Sequence, residues 1–142
     1  MKLIPYINLT GNAEEAMNFY QSIFGGTTEV MRWRDIPPDT KMPLDDTWKS
    51  KVMHATLTIR DNVSLFLSDS LEDEKIPKSN NVVIHIEFDS EDELRNVYKA
   101  LSDGGRINMP VDRMFWGAVY GDLVDRFGVG WGLHYQLPDE RS

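Results

Sequence analysis

Apolar residues recur along this chain at two spacings, one helical and one extended, and each occurs in both halves. After Asn12, Ala16, Tyr20, Ile23 and Phe24 fall at i, i+4, i+7 and i+8, one face of a helix predicted over 12–24. Asn12 is placed to cap that helix, with Glu15 three residues on, where it can reach back to the cap amide. Gly25-Gly26 stops it, because glycine takes the left-handed terminal position without steric penalty. The pattern returns downstream. Ser90-Glu91-Asp92-Glu93 is a second capping box, Leu94, Val97, Tyr98 and Leu101 form the stripe, and Gly104-Gly105 ends it. Glu15 corresponds to Glu93 and Tyr20 to Tyr98 at one offset, and the glycine pairs drift by one residue, which suggests an internal duplication.

The extended runs follow the same order. Leu3–Leu9 precedes the first helix and Val82–Phe88 the second. Thr27–Arg34, Lys51–Ile59 and Val63–Ser68 follow the first; Arg106–Met109, Phe115–Val124 and Gly130–Gln136 follow the second. Met53, Ala55, Leu57 and Ile59 alternate with His54, Thr56 and Thr58, as in a half-buried strand. Asp61-Asn62 marks a tight turn. Ile36–Trp48, with Pro37-Pro38 and Pro43, reads as a loop placed to lid a pocket or simply to cover surface, and Asp69–Asn81 as a polar connection. The expected fold is α+β: one domain over 1–142, built of βαβββ halves at 1–70 and 82–137 joined by a linker at 71–81.

Size and composition fit that plan. The 142 residues, 41% hydrophobic and 27% charged, suit one ordinary soluble core. A net charge of −8, with 15 scattered Lys and Arg, argues against nucleic acid and anionic membranes as partners. No apolar run approaches the roughly 20 residues of a membrane span, and MKLIPYINL has no signal-peptide character, so a cytoplasmic location is expected. The absence of cysteine excludes disulfides, thiolate nucleophiles and cysteine-ligated zinc. No serine lies in a nucleophile elbow, and there is no phosphate-binding loop or dinucleotide fingerprint.

Several stretches carry a resemblance. Tyr6-Ile7-Asn8-Leu9-Thr10-Gly11-Asn12-Ala13-Glu14-Glu15-Ala16 followed by Asn18-Phe19-Tyr20 resembles the start of the glyoxalase/bleomycin-resistance/dioxygenase superfamily, the vicinal oxygen chelate proteins. Val52–Leu57, Met109-Pro110 with Phe115–Gly121, and Asp125–Trp131 are similar to its PhnB-like branch. The resemblance implies curved mixed sheets around a cleft, helices on the outer faces, and a homodimer. It does not supply a reaction. Metal-dependent members place His, Gln or Glu at the start of each half's first strand and near the end of its last. Here Pro5 and Val83 stand at the first positions, Gly132 at the late position of the second half, and Leu65–Leu67 at that of the first. The departure at those positions implies that the usual metal centre is absent; no cofactor is expected, with a divalent metal the less favoured alternative. A ubiquinone-pathway methyltransferase label also attaches to this branch, but the chain lacks a glycine-rich strand–turn–helix motif for S-adenosylmethionine.

Four residues are candidates for a ligand site. His54 faces away from the apolar side of its strand, where imidazole serves as a general base or ligand contact; bonding to a neighbouring strand is the structural alternative. Trp116, Tyr120 and Asp122 share a strand phase with Ala118, which suggests a stacking wall with a polar anchor, or core packing. Trp131 and Tyr135 read as core. Asp69 reads as a turn cap. His85 and Glu87 share a face and His134 lies near the end of the last strand, but no spacing ties the three together as a zinc or nickel site. The expected function is binding of a small-molecule ligand without the usual metal centre. The alternatives are a metal-dependent lyase, isomerase or dioxygenase, and a homodimeric interaction or sequestering module.

Overall fold

A computed structural model describes residues 1–37, 46–70 and 81–139. The chain forms two compact units, Met1–Pro77 and Lys78–Ser142. The first contains β1 (Tyr6–Leu9), α1 (Ala13–Phe24), β2 (Thr27–Arg32), β3 (Val52–Arg60) and β4 (Val63–Asp69). The second contains β5 (Ile84–Phe88), α2 (Glu91–Ser102), β6 (Arg106–Met114), β7 (Ala118–Val124) and β8 (Gly130–Gln136). Strand order is β1-β4-β3-β2 in one sheet and β5-β8-β7-β6 in the other. In each, the first and last strands of the half pair parallel and the remaining neighbours antiparallel. These are two βαβββ halves of an α+β fold, as the duplicated pattern predicts. The expected linker over 71–81 and the Ile36–Trp48 loop fall mostly outside the described residues. Among the described residues no helix is long and apolar enough to cross a membrane.

Each helix covers one face of its own sheet. α1 packs on β2, β3 and β4, burying Ala13, Ala16, Met17 and Tyr20 against Ile7, Leu9, Ala55, Leu57, Leu65 and Leu67. Ile23 and Phe24, expected in the stripe, are only half-buried at the end of the helix. α2 buries Leu94, Val97, Tyr98 and Leu101 on its sheet, where Val119, Leu123, Trp131 and Leu133 are core. Trp131 is core as expected, and its indole N–H donates to Asp125 at 2.9 Å.

Local details depart from the sequence expectations for identifiable reasons. Ser90 caps α2, accepting from the Glu93 amide at 3.2 Å. Asn12 makes no side-chain cap bond. The N-terminus of α1 is held instead by Asp69 of β4, whose Oδ1 accepts from Gly11 at 2.8 Å and Ala13 at 3.0 Å, while Oδ2 accepts from Val52 at 3.0 Å. β6 runs on to Met114, past Pro110. An outer strand tolerates a proline that cannot donate, and the register of β6 shifts on both sides of Met109. β7 begins only at Ala118, because Phe115, Trp116 and Gly117 make the β6–β7 turn.

The glycine pairs do more than stop helices. A Cβ on Gly26 would lie 2.1 Å from the Thr58 carbonyl oxygen, and one on Gly105 would lie 2.3 Å from that of Val124. In each half the second glycine lets the strand leaving the helix lie close against its neighbour.

Candidate functional site

Strand alternation gives each sheet a second face, turned away from its helix. In the first half this face presents Tyr6 and Asn8 from β1, His54 and Thr56 from β3, and Phe66 and Ser68 from β4, all on the opposite side to buried Ala55, Leu57 and Leu67. The His54 ring lies 4.7 Å from Phe66 and 5.6 Å from Tyr6, centroid to centroid. Tyr6 Oη is 3.3 Å from Nδ1, and Thr56 Oγ1 is 3.4 Å from Nε2. A neutral imidazole has one N–H and one bare nitrogen, so in either tautomer one hydroxyl donates and the other accepts. His54 is therefore oriented by its neighbours, on the face the alternation predicts. Tyr6 and Phe66 were absent from the expected set; the Tyr6/Asn8 alternation in β1 is the signal that points to the first.

In the second half the face away from α2 carries Tyr120 and Asp122 from β7, His85 and Glu87 from β5, and His134 from β8. Trp116 adjoins this face from the β6–β7 turn rather than from the strand, which corrects the phase argument. Its ring still lies 6.3 Å from Tyr120, and Tyr120 lies 6.4 Å from His134. Trp116 is 49% exposed and the adjacent Phe115 is 98% exposed. Tyr120 donates to Asp122 at 3.2 Å. Burial, and then the Asp122 carboxylate beside it, raises the Tyr120 phenol above its ordinary pKa. It is therefore a neutral hydrogen-bond donor across the physiological range.

β5 and β8 pair parallel with Glu87 opposite His134 and His85 opposite Gly132. His85 Nε2 is 2.8 Å from Glu87 Oε1, and His134 Nδ1 is 2.7 Å from Glu87 Oε2. A carboxylate only accepts, so each imidazole places its N–H on the nitrogen facing Glu87. The hydrogen bonds from His85 and His134 hold the Glu87 carboxyl below its usual range. An open groove of about 680 Å³ lies at the other end of this sheet, bordered by Val83, Arg106, Val124 and Gly130. It reaches Asp122 but not Trp116, Tyr120 or His134.

The positions where the resemblance places metal ligands carry no donor side chain. Pro5, Val83 and Gly132 offer none, and Leu65 and Leu67 are buried in the core. The metal centre of the metal-dependent members does not fit those residues.

Two βαβββ halves, each a mixed four-stranded sheet covered by one helix, are the fold of the glyoxalase/bleomycin-resistance class of protein. The family model described as 3-demethylubiquinone-9 3-methyltransferase matches residues 1–134, and the chain belongs to that family, the PhnB-like branch of the class. It is similar to protein PA1353 from Pseudomonas aeruginosa, at 32% identity over 97% of this chain and 99% of that one, with a TM-score of 0.80. It is similar also to the PhnB protein from Bacillus cereus, at 27% identity over 95% and 99%, TM-score 0.76. A glyoxalase/bleomycin resistance protein/dioxygenase from Alicyclobacillus acidocaldarius shares the fold at 18% identity over 98% and 93%, TM-score 0.56.

Proposed function

We propose that this protein binds a planar small molecule on the open face of its second sheet, with Trp116 and Tyr120 as the stacking wall and Asp122 as the polar anchor. The observation that carries this is the run of rings from Trp116 through Tyr120 to His134, spaced at 6.3 and 6.4 Å and accompanied by Asp122. The large side chains of the core, such as Tyr20 and Trp131, are buried. Here Trp116 remains half-exposed, and Tyr120 and Asp122 are only partly covered. Aromatic faces bordered by carboxylates favour a flat ligand that carries a hydrogen-bond donor or a positive charge. His54, held between Tyr6 and Phe66, gives the first half a comparable surface, with an imidazole as its polar group.

The test uses tryptamine and benzamidine as probes in amide-detected NMR titrations of the full chain. Shifts concentrated at Trp116–Asp122, and lost in Trp116→Ala and Asp122→Asn, support the proposal. Shifts that survive both substitutions, or the absence of any shift at millimolar probe, overturn it.

A further inference from the structure

We propose that His85, Glu87 and His134 form a binding site for one divalent transition-metal ion of the zinc or nickel type. The site lies wholly within the second half and does not rest on the small-molecule proposal, since an ion needs only these three side chains. It differs from the ligand positions the resemblance implies: His85 and His134 stand two residues beyond Val83 and Gly132, His85 within β5 and His134 on the same face of β8 as Gly132.

The geometry supports an ion in three ways. First, the donor atoms already converge, all lying within 4.8 Å of one another. Bonds of about 2.0–2.2 Å in a tetrahedral site separate neighbouring ligand atoms by roughly 3.3 Å. The 2.8 and 2.7 Å separations to Glu87 therefore need to open by about half an ångström, while the remaining pair, within 4.8 Å, needs to close by up to about 1.5 Å. Second, the His85 ring and the Glu87 carboxylate have room to make that adjustment, because their side chains are 48% and 63% exposed, while His134, at 17%, is the anchored member. Third, the strand position opposite His85 is glycine. A Cβ on Gly132 would come within 3.2 Å of Tyr120 Oη and 3.5 Å of His85 Nδ1, so its absence leaves room beside the cluster.

The donor set also selects the ion. Two imidazoles and one carboxylate suit borderline divalent ions better than magnesium or calcium, which prefer all-oxygen sites. On binding, the N–H that each imidazole now directs at Glu87 moves to its other ring nitrogen, and the lone pair it uncovers goes to the ion. Neutral imidazoles thus bind without net proton release. Three protein ligands leave a tetrahedral ion one open position, on the face that also carries Tyr120.

Tag-free protein stripped with chelator and titrated with zinc chloride by calorimetry tests the site. One ion per chain at micromolar affinity or tighter is expected, with loss of about tenfold or more in each of His85→Ala, His134→Ala and Glu87→Gln. Cobalt loading should give visible ligand-field absorption that disappears in the same variants. Trp116→Ala should keep the ion, which separates this site from the stacking wall. The proposal is overturned if no ion binds below about 100 μM, a threshold roughly 2.7 kcal/mol weaker than micromolar binding. It is equally overturned if a His85→Ala/His134→Ala double variant with unchanged circular dichroism binds zinc as the parent does.

Discussion

The carboxylate of Asp69, at the end of β4, accepts the amide hydrogen of Ala13, the first residue of α1, at 3.0 Å. Its two oxygens also take the amides of Gly11 and Val52, and the side chain is almost wholly buried. One group therefore fixes the start of the helix to two strands. Asn12, which local sequence nominates as the cap, has a buried Oδ1 with no hydrogen-bond partner among the described residues.

The two residues should respond very differently to substitution. Asp69→Ala strands three amides and is expected to destabilise by about 3 kcal/mol, the range for buried bonds to a charged acceptor. Asn12→Ala should change stability by less than about 0.5 kcal/mol, since no bond is lost. Urea unfolding of both variants checks this. Asn12→Ala as damaging as Asp69→Ala would show that the cap is local after all.

This contrast also explains what the sequence could and could not reveal. The halves, helices and strand faces were legible because Gly-Gly stops, apolar stripes and alternation are local; His54 was placed on its correct face by alternation alone. The Asp69 cap joins residues far apart in the chain, so no window contains it. The contact between Glu87 and His134 depends on parallel pairing of β5 with β8, which brings together residues 47 positions apart. Pro110 concealed the length of β6, because a proline tolerated at a sheet edge reads locally as a break. Trp116 was assigned by strand phase but sits in a turn, where phase carries no information.

The paired glycines give a test of the duplication itself. At Gly26 the backbone φ is +93° and a Cβ would collide with the Thr58 carbonyl; at Gly105 it would collide with the Val124 carbonyl. Both contacts are with backbone, which cannot move aside cheaply. Gly26→Ala and Gly105→Ala should each cost about 2 kcal/mol or more, whereas an ordinary surface substitution stays within about 0.5 kcal/mol. Thermal melts that tolerate either change would show that close strand approach is not required there.

Tyr120 offers a spectroscopic handle on the second open face. Burial raises its pKa first, and the Asp122 charge and hydrogen bond add to this; Tyr98 is raised by burial and then by the same carboxylate. In an alkaline titration followed by tyrosinate absorbance, Tyr120→Phe should remove one late-titrating phenol. Asp122→Asn should bring the late portion of the curve to lower pH without restoring an ordinary value, because burial remains. A raised folded pKa contributes stability that is complete below the unfolded value, about 10, and is lost as pH climbs through the folded one. An unchanged titration curve in Asp122→Asn would contradict the pairing.

Glu14 on α1 pairs with Arg32 at the end of β2, and Arg32 is itself steadied by donating to the Ser50 carbonyl at 3.0 Å. The hydrogen bond from Arg32 lowers the Glu14 pKa, against a smaller opposing effect of burial, and raises that of Arg32. Because the folded pKa of Glu14 is depressed, its stabilisation is present above the unfolded value of about 4.3 and disappears as pH falls through the folded one. The Glu14 side chain is 46% exposed, so solvent screening limits the effect to under about 1 kcal/mol. Glu14→Gln should therefore be slightly less stable than the parent at pH 7, with the difference closing towards pH 3 and shrinking in high salt. Arg32→Gln on top of Glu14→Gln should add less than it does alone, since the shared bond is already gone. A Glu14→Gln deficit that stays constant from pH 7 to pH 3 would assign its effect to packing and leave the ion pair without a role in holding α1 to β2.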